Sequence, residues 1–199
     1  MKDDKPKRIR RDPETTRGLI LEATERIMIE EGYAAVSSRR VAQDLGLNAA
    51  TIHYYYPTTD DLFVALHQRM TERQCLELEK ALASDKPLEA LWTFQSEWGQ
   101  TALGVEFIAL SNHRKAIQKV IAGVTDEARV AQATALLRAV GKTSIDSRIL
   151  PPIALVTIVV AIARTLANEE RVGITCGHAE VRAFVSRALE YLLHPASSL

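Results

Sequence analysis

The chain has 199 residues, 47% of them hydrophobic, and its 25 Lys and Arg residues balance 25 Asp and Glu residues. So much apolar material excludes a disordered chain and supports a small module beside a larger one, while neutral charge excludes a protein drawn to polyanions by its overall field. Two cysteines far apart in sequence, Cys75 and Cys176, have no metal-ligand spacing and read as reduced thiols of a cytoplasmic protein, with no metal or other cofactor expected.

Residues 2–11 form a basic arm, with Lys2, Lys5, Lys7, Arg8, Arg10 and Arg11 against Asp3 and Asp4. Such a stretch is either a solvated tail or an arm that reaches DNA phosphates or a minor groove. It is charged and lacks an apolar core segment, so no signal peptide is expected. Asp12, Pro13 and Glu14 then give a helix start: a capping side chain, a proline at the first helical position and an acid in the first turn. Leu19, Ile20, Ala23 and Ile27 are expected to face inward along this helix, and Gly32 to close it.

Residues 36–62 read VSSRRVAQDLGLNAATIHYYYPTTDDL. Ser37 suits the N-cap of a helix with Val41, Ala42 and Leu45 on one side, and Gly46 offers the positive φ that ends it. Asn48 caps a second short helix, stopped by Pro57, whose expected exposed positions are Ala49, Ala50, Thr51, His53, Tyr54 and Tyr55. Helix, tight turn and a helix with small residues at its leading end is the plan of a helix-turn-helix, which enters a DNA major groove. Thr58 with Asp61 resembles a capping box opening a long connector helix that carries Leu62, Phe63, Leu66, Met70 and Leu76 inward.

The remaining pattern is helical, without sustained β alternation. Pro87 opens a helix with Leu88, Leu91, Trp92 and Trp98, and Leu103, Phe107 and Leu110 mark the next. Residues 116–140 are amphipathic and precede Gly141 and a Ser- and Asp-containing loop. The apolar run at 149–163 is interrupted by Pro151, Pro152 and Thr157 and is shorter than the roughly 20 residues of a membrane span, so it reads as a buried or interface helix. The last helix, from near His178, spaces Val181, Phe184, Val185, Leu189 and Leu192 helically. The expected fold is therefore all-α: a basic arm at 1–11, a three-helix helix-turn-helix domain at 12–60, a connector at 61–83 and a helical ligand-binding and dimerisation domain at 84–199.

The first helix ending EEGYAAVS, followed by RRVAQDLGLNAATIHYYYPTTDDLF, resembles the N-terminal domain of the TetR family of bacterial transcriptional repressors in order, spacing and turn chemistry. NEERVGITCGHAEVRAF also looks like the junction between the last two helices in one branch of that family. The resemblance implies a cytoplasmic homodimer that binds double-stranded palindromic operator DNA and releases it when a small-molecule effector enters the C-terminal domain.

By that resemblance Arg39 stands where the tetracycline repressor has a guanine-reading arginine, and an arginine can donate two parallel hydrogen bonds to O6 and N7. A solvated or phosphate-bound Arg39 is the alternative. Ser37, Ser38, Asn48, Ala49, Ala50 and Thr51 are the other expected contacts at the start of the motif, with Tyr54 and Tyr55 matching positions that touch DNA and Tyr56 replacing a buried Phe. His53 stands where the family commonly has a phosphate-binding Tyr, and Thr59 where it often has Lys; losing that Lys predicts a shallower salt dependence unless the arm compensates.

For the effector, Trp92, Trp98 and Phe107 are expected walls, with core packing as the alternative for each, and Gln95, Asn112, His113 and Arg164 are polar handles. Arg164, inside an apolar helix, needs a partner: an internal carboxylate, an interface group or an anionic ligand. The apolar faces of the last two helices exceed what one subunit covers and are assigned to a four-helix dimer interface, not to a membrane. Paired catalytic carboxylates, HExxH, CxxC, GxSxG and Gly-rich phosphate loops are all missing from the sequence, so no enzyme is expected. A helical ligand-binding or scaffold protein without DNA binding remains the rival reading.

Overall fold

A computed structural model describes residues 12–99, 102–140 and 148–193. The basic arm and the loop after Gly141 lie outside the described residues, apart from the loop's last positions. The described residues are helical, with no strand among them: α1 (Pro13–Glu31), α2 (Ser38–Leu45), α3 (Ala49–Tyr55), α4 (Thr59–Leu82), α5 (Pro87–Gly99), α6 (Ala102–His113), α7 (Lys115–Val140), α8 (Pro152–Arg171) and α9 (His178–Leu193). The chain divides into two compact units between Leu66 and His67, inside α4.

The first unit is built by its caps. Asp12 accepts a hydrogen bond from the Thr15 amide at 3.2 Å, and Gly32 ends α1 at φ 83°. A single 3₁₀ turn, Tyr33–Ala35, leads to Ser37, whose hydroxyl accepts from the Arg40 amide at 3.1 Å and starts α2. Gly46, at φ 62°, closes α2 with the paired bonds of a Schellman turn: Leu47 N to Ala42 O at 2.8 Å and Gly46 N to Gln43 O at 3.3 Å. Asn48 Oδ1 then accepts from the Ala50 amide at 3.0 Å to open α3. Thr58 and Asp61 form a reciprocal capping box, Thr58 N donating to Asp61 Oδ2 at 2.9 Å and Asp61 N to Thr58 Oγ1 at 3.1 Å. With these turns fixed, Ile20, Ala23, Ile27, Met28, Val41, Ala42, Ile52, Tyr56, Leu62, Phe63 and Leu66 are buried. Leu19 and Leu45 are only half-buried.

In the second unit, α5 packs on α8 and also touches α7 and α9. The core joins Leu78 and Leu82 of α4, Leu88, Leu91, Trp92 and Phe94 of α5, Leu136 of α7, Leu155, Val156 and Val159 of α8, and Val185 and Leu189 of α9. Leu76, expected inside, is exposed. The buried stripe of α4 runs through Leu78 and Leu82, and a residue two positions from Leu78 projects from nearly the opposite face. The helix at 152–171 is longer than expected and, by length and composition alone, could cross a membrane. Its inner face instead belongs to the core just described. A Schellman turn closes α8, with Ile174 N donating to Glu169 O at 2.9 Å and Gly173 N to Glu170 O at 3.1 Å. Gly173 takes the required positive φ of 82°.

Candidate DNA-binding face and ligand cavity

Two adjacent arginines at the start of α2 have different environments. Arg40 donates to both carboxylate oxygens of Glu31, the Nε bond measuring 3.3 Å, and its Nη1 lies 3.7 Å from Asp44. Glu31 and Asp44 hold its guanidinium charge above its ordinary range, the Glu31 hydrogen bond being the main cause. Asp44 also pairs with Arg26 of α1, so Arg40 belongs to a bracket tying α1 to α2. Arg39 is exposed and has no hydrogen bond or ion pair among the described residues. The local fold thus commits one arginine and leaves its neighbour able to reach outward.

On α3, Ala50, His53 and Tyr54 are exposed, Tyr54 to 81%, and Ala49, Thr51 and Tyr55 are half-buried. Tyr55 is held from two sides: its ring meets Tyr54 edge-on at 5.1 Å, and the Arg17 guanidinium of α1 lies 5.5 Å from its centroid. Arg17 also lies 6.0 Å from the buried ring of Tyr56. His53 Nδ1 is 3.1 Å from the Pro57 carbonyl oxygen, so Nδ1 carries the donated proton and Nε2 of the neutral ring is left as an acceptor. The one donor of neutral His53 is therefore spent inside the protein. Thr59 begins α4, half-buried. Ser37 is exposed with its oxygen engaged as the cap, and Asn48 is exposed with its amide nitrogen free to donate. Ser38, the first residue of α2, turns into the unit and is 7% exposed, unlike its exposed neighbour Ser37.

The second unit holds a cavity of about 200 Å³ lined from α4, α6, α7 and α8. A smaller one of about 70 Å³ shares Met70, Gln74, Gly104, Val160 and Arg164 with it. Phe107, Asn112 and Arg164 of the expected set line the larger cavity, and Trp98, Gln95 and Arg164 the smaller. Trp92 is instead buried in the core of the second unit, where its area contributes more by packing than by lining a space. His113 is exposed and lines neither cavity. His67 and Arg129 enter the wall without having been expected. The His67 ring packs edge-on against Phe107 at 4.9 Å, its Nδ1 has no partner, and burial pushes its pKa down to about 4. Burial, then the charge of Arg129, lowers the pKa of Arg164.

A sequence model described as "Bacterial regulatory proteins, tetR family" matches residues 20–66, the stretch that carries the capped turns and the helix-turn-helix. Residues 20–66 thus carry the sequence of that family's N-terminal domain.

The chain is similar to the HTH-type transcriptional regulator PksA of Bacillus subtilis (strain 168), at 29% identity over 119 residues, 55% of this chain and 57% of that protein. The match thus spans little more than half the length of that curated relative. Among solved structures, a TetR transcription regulator from Haloarcula marismortui shares the fold with a TM-score of 0.71 at 19% identity, covering 91% of this chain and 100% of that one. The multidrug binding protein EbrR, solved with imidazole, aligns with a TM-score of 0.60 at 25% identity, covering 92% and 96%.

The cavity residues missed from sequence had a weak signal. His67 falls four residues after Phe63 on the buried stripe that includes Leu62, Phe63 and Leu66, so its periodicity reads as core, and Arg129 sits on an amphipathic helix where charge reads as solvent-facing. Their meeting depends on how α4, α6, α7 and α8 pack, which no single helix pattern encodes.

Proposed function

We propose that this chain is a transcriptional repressor that binds a palindromic operator as a homodimer in the cytoplasm and is released by a small-molecule effector. The observation that carries the reading is the exposed, partnerless Arg39 beside a short helix whose outer surface runs from Ala49 and Ala50 to Tyr54. Small residues allow close approach to a groove, and a free guanidinium can donate to guanine O6 and N7. Ser37, Asn48, Thr51, Tyr55 and Thr59 supply or support contacts to phosphate around it, with His53 exposed beside them. Support for a dimer comes from apolar side chains left exposed on the last two helices, among them Ile158, Phe184 at 64% and Tyr191 at 63%.

Effector release follows from α4. The helix runs unbroken from Thr59 to Leu82, carries Leu62, Phe63 and Leu66 into the buried set of the first unit, and lines the cavity of the second with His67, Met70, Thr71 and Gln74. A ligand that prefers one setting of α4 shifts the spacing of the two recognition helices away from the roughly 34–36 Å that adjacent major grooves require. A ligand with equal affinity for both settings shifts nothing.

The test is selection of bound fragments from a random DNA library by the wild type and by Arg39→Ala. The expected result is a palindrome for the wild type, with one base pair per half-site relaxed in the variant. No enrichment at low salt would overturn the reading and favour a helical ligand-binding protein.

A further inference from the structure

We propose that the cavity of the second unit takes a small amphipathic monocarboxylate, of about the size of benzoate, with its carboxylate on Arg164 and Arg129 and its apolar part against Phe107. This inference deepens the effector reading above and rests on it for the consequence of binding, though not for the chemistry of the site.

The charge balance of the wall carries the argument. Arg129 and Arg164 both line the larger cavity, and no Asp or Glu lines it. Among the described residues Arg164 makes no hydrogen bond and no ion pair, and Arg129 donates only to Thr157 Oγ1 at 3.3 Å. Two guanidiniums that share a partly desolvated space raise each other's energy, and an anion between them reverses the sign of that interaction. A planar carboxylate matches the paired N–H groups of a guanidinium, which makes it a better counterpart than a halide.

A second, independent observation points the same way. Gln95 is 3% exposed, lines the smaller cavity together with Arg164, and its Nε2 has no partner. Asn168 lines the same cavity with its Oδ1 unpaired. Buried amide groups left without partners are costly, and a ligand oxygen at Arg164 supplies an acceptor for Gln95. Asn168 Oδ1 requires a donor, which a hydroxyl or amino group on the ligand or a water can provide.

The rest of the lining sets size and polarity. Phe107, Ile108, Ile121, Met70 and Val160 form the apolar wall, and burial keeps His67 neutral, so it adds no competing charge. A cavity of about 150 Å³ accepts benzene, so the larger cavity, at about 200 Å³, suits a single ring or a short branched chain with one carboxylate.

The test is calorimetric titration of the full-length protein at fixed ionic strength with sodium benzoate, phenylacetate and hexanoate, each paired with its neutral primary amide. At least one acid is expected to bind about tenfold or more tightly than its amide and to raise the melting temperature, where the same concentration of sodium chloride does not. Arg164→Met and, separately, Arg129→Met should each weaken that acid by about tenfold while the affinity of the amide changes little. Circular dichroism identifies a variant that has failed to fold, and the other variant then decides. Amides binding as tightly as their acids, acids indifferent to both substitutions, or no binding by any of the six compounds would overturn the proposal. Selection of operator DNA by the same preparation is scored separately. Palindrome enrichment with no acid preference removes the anion assignment and leaves the regulator reading standing, whereas acid binding without any enrichment does the reverse.

Discussion

His178 Nε2 lies 2.8 Å from Glu169 Oε2, so the first residue of α9 is bonded to the last turn of α8 across the turn between them. Its Nδ1 lies 3.3 Å from Glu170 Oε1, which also accepts from Arg182 at 2.7 Å. The hydrogen bond to Glu169, followed by that to Glu170, raises the His178 pKa above 6.5. Arg182 first, then His178, lowers the Glu170 carboxyl below 4.5. One cluster thus ties the two helices together at their junction, on the helix pair proposed to form the dimer.

The sign of its pH dependence follows from these directions. A raised His178 pKa contributes stability that is fully present below pH 6.5 and is lost as the pH rises through the folded value. The depressed Glu170 contributes above 4.5 and is lost as the pH falls through its folded value. His178→Gln should therefore lower the melting temperature most near pH 6, with the deficit shrinking by pH 9. Equal deficits at both pH values in thermal melts would refute a charged His178.

His67 has the opposite dependence. Its folded pKa of about 4 lies below the ordinary 6.5, so protonation favours the unfolded chain and stability declines as the pH falls from 6.5 towards 4. Fully developed, that shift corresponds to about 3 kcal/mol. His67→Leu removes both the titration and the unpartnered Nδ1, and should flatten this acid limb. Urea unfolding at pH 7.5 and 4.5 provides the comparison, with the wild type losing about 2 to 3 kcal/mol more than the variant. Parallel losses in the two proteins would show that His67 is not the group responsible.

Gly46 shows what a turn residue costs when it is changed. It sits at φ 62°, and a Cβ there would meet nothing within 4 Å, so the penalty of Gly46→Ala is conformational and not steric. A left-handed residue other than glycine costs roughly 1–2 kcal/mol, less for Asn. Chemical denaturation should therefore order the proteins Gly46, then Gly46→Asn, then Gly46→Ala. An alanine variant as stable as the wild type would mean that the turn opens without loss.

The same contrast explains how far the sequence could be read. Gly32, Ser37, Gly46, Asn48 and the Thr58 and Asp61 pair act on their immediate neighbours, and each does in the fold what its residue type suggests. Tyr56 was legible as core from the resemblance, in which it replaces a buried Phe, and it is buried. Side chains whose partners come from distant helices were not. Leu76 looked inward by composition and is exposed, Trp92 could be wall or core and is core, and the convergence of Arg129 with Arg164 has no local signature. Ser38 differs from Ser37 for a related reason, since one position of register separates a capping serine from a buried one.

Thr59 lies at the start of α4, where the family often carries Lys. If this position faces phosphate, Thr59→Lys adds one ionic contact per subunit. The operator affinity should rise, and the slope of log K against log salt should steepen by about 0.9 per added contact, so by about 1.8 for a dimer. Titrations between 50 and 200 mM salt, a range over which an added slope of about 1.8 changes the affinity by about one decade, measure it directly. An unchanged slope would place Thr59 away from the DNA backbone.

Under the proposed function, Arg39 and Arg40 would separate reading from support within one dipeptide. Arg40 is engaged by Glu31 and Asp44, so Arg40→Ala should lower the melting temperature and weaken all DNA sequences alike, through the loosened junction of α1 and α2. Arg39 has no partner among the described residues, so Arg39→Ala should change stability by no more than about 0.5 kcal/mol. Its effect belongs to specificity: loss of a bidentate contact should cost about 1–3 kcal/mol at one base pair per half-site and little elsewhere. Measuring affinities for the operator and for single-base variants, with both proteins and at one salt concentration, distinguishes the two roles. Uniform weakening by Arg39→Ala would reassign it to phosphate, and a base-specific loss in Arg40→Ala would mean that its ion pairs open on binding.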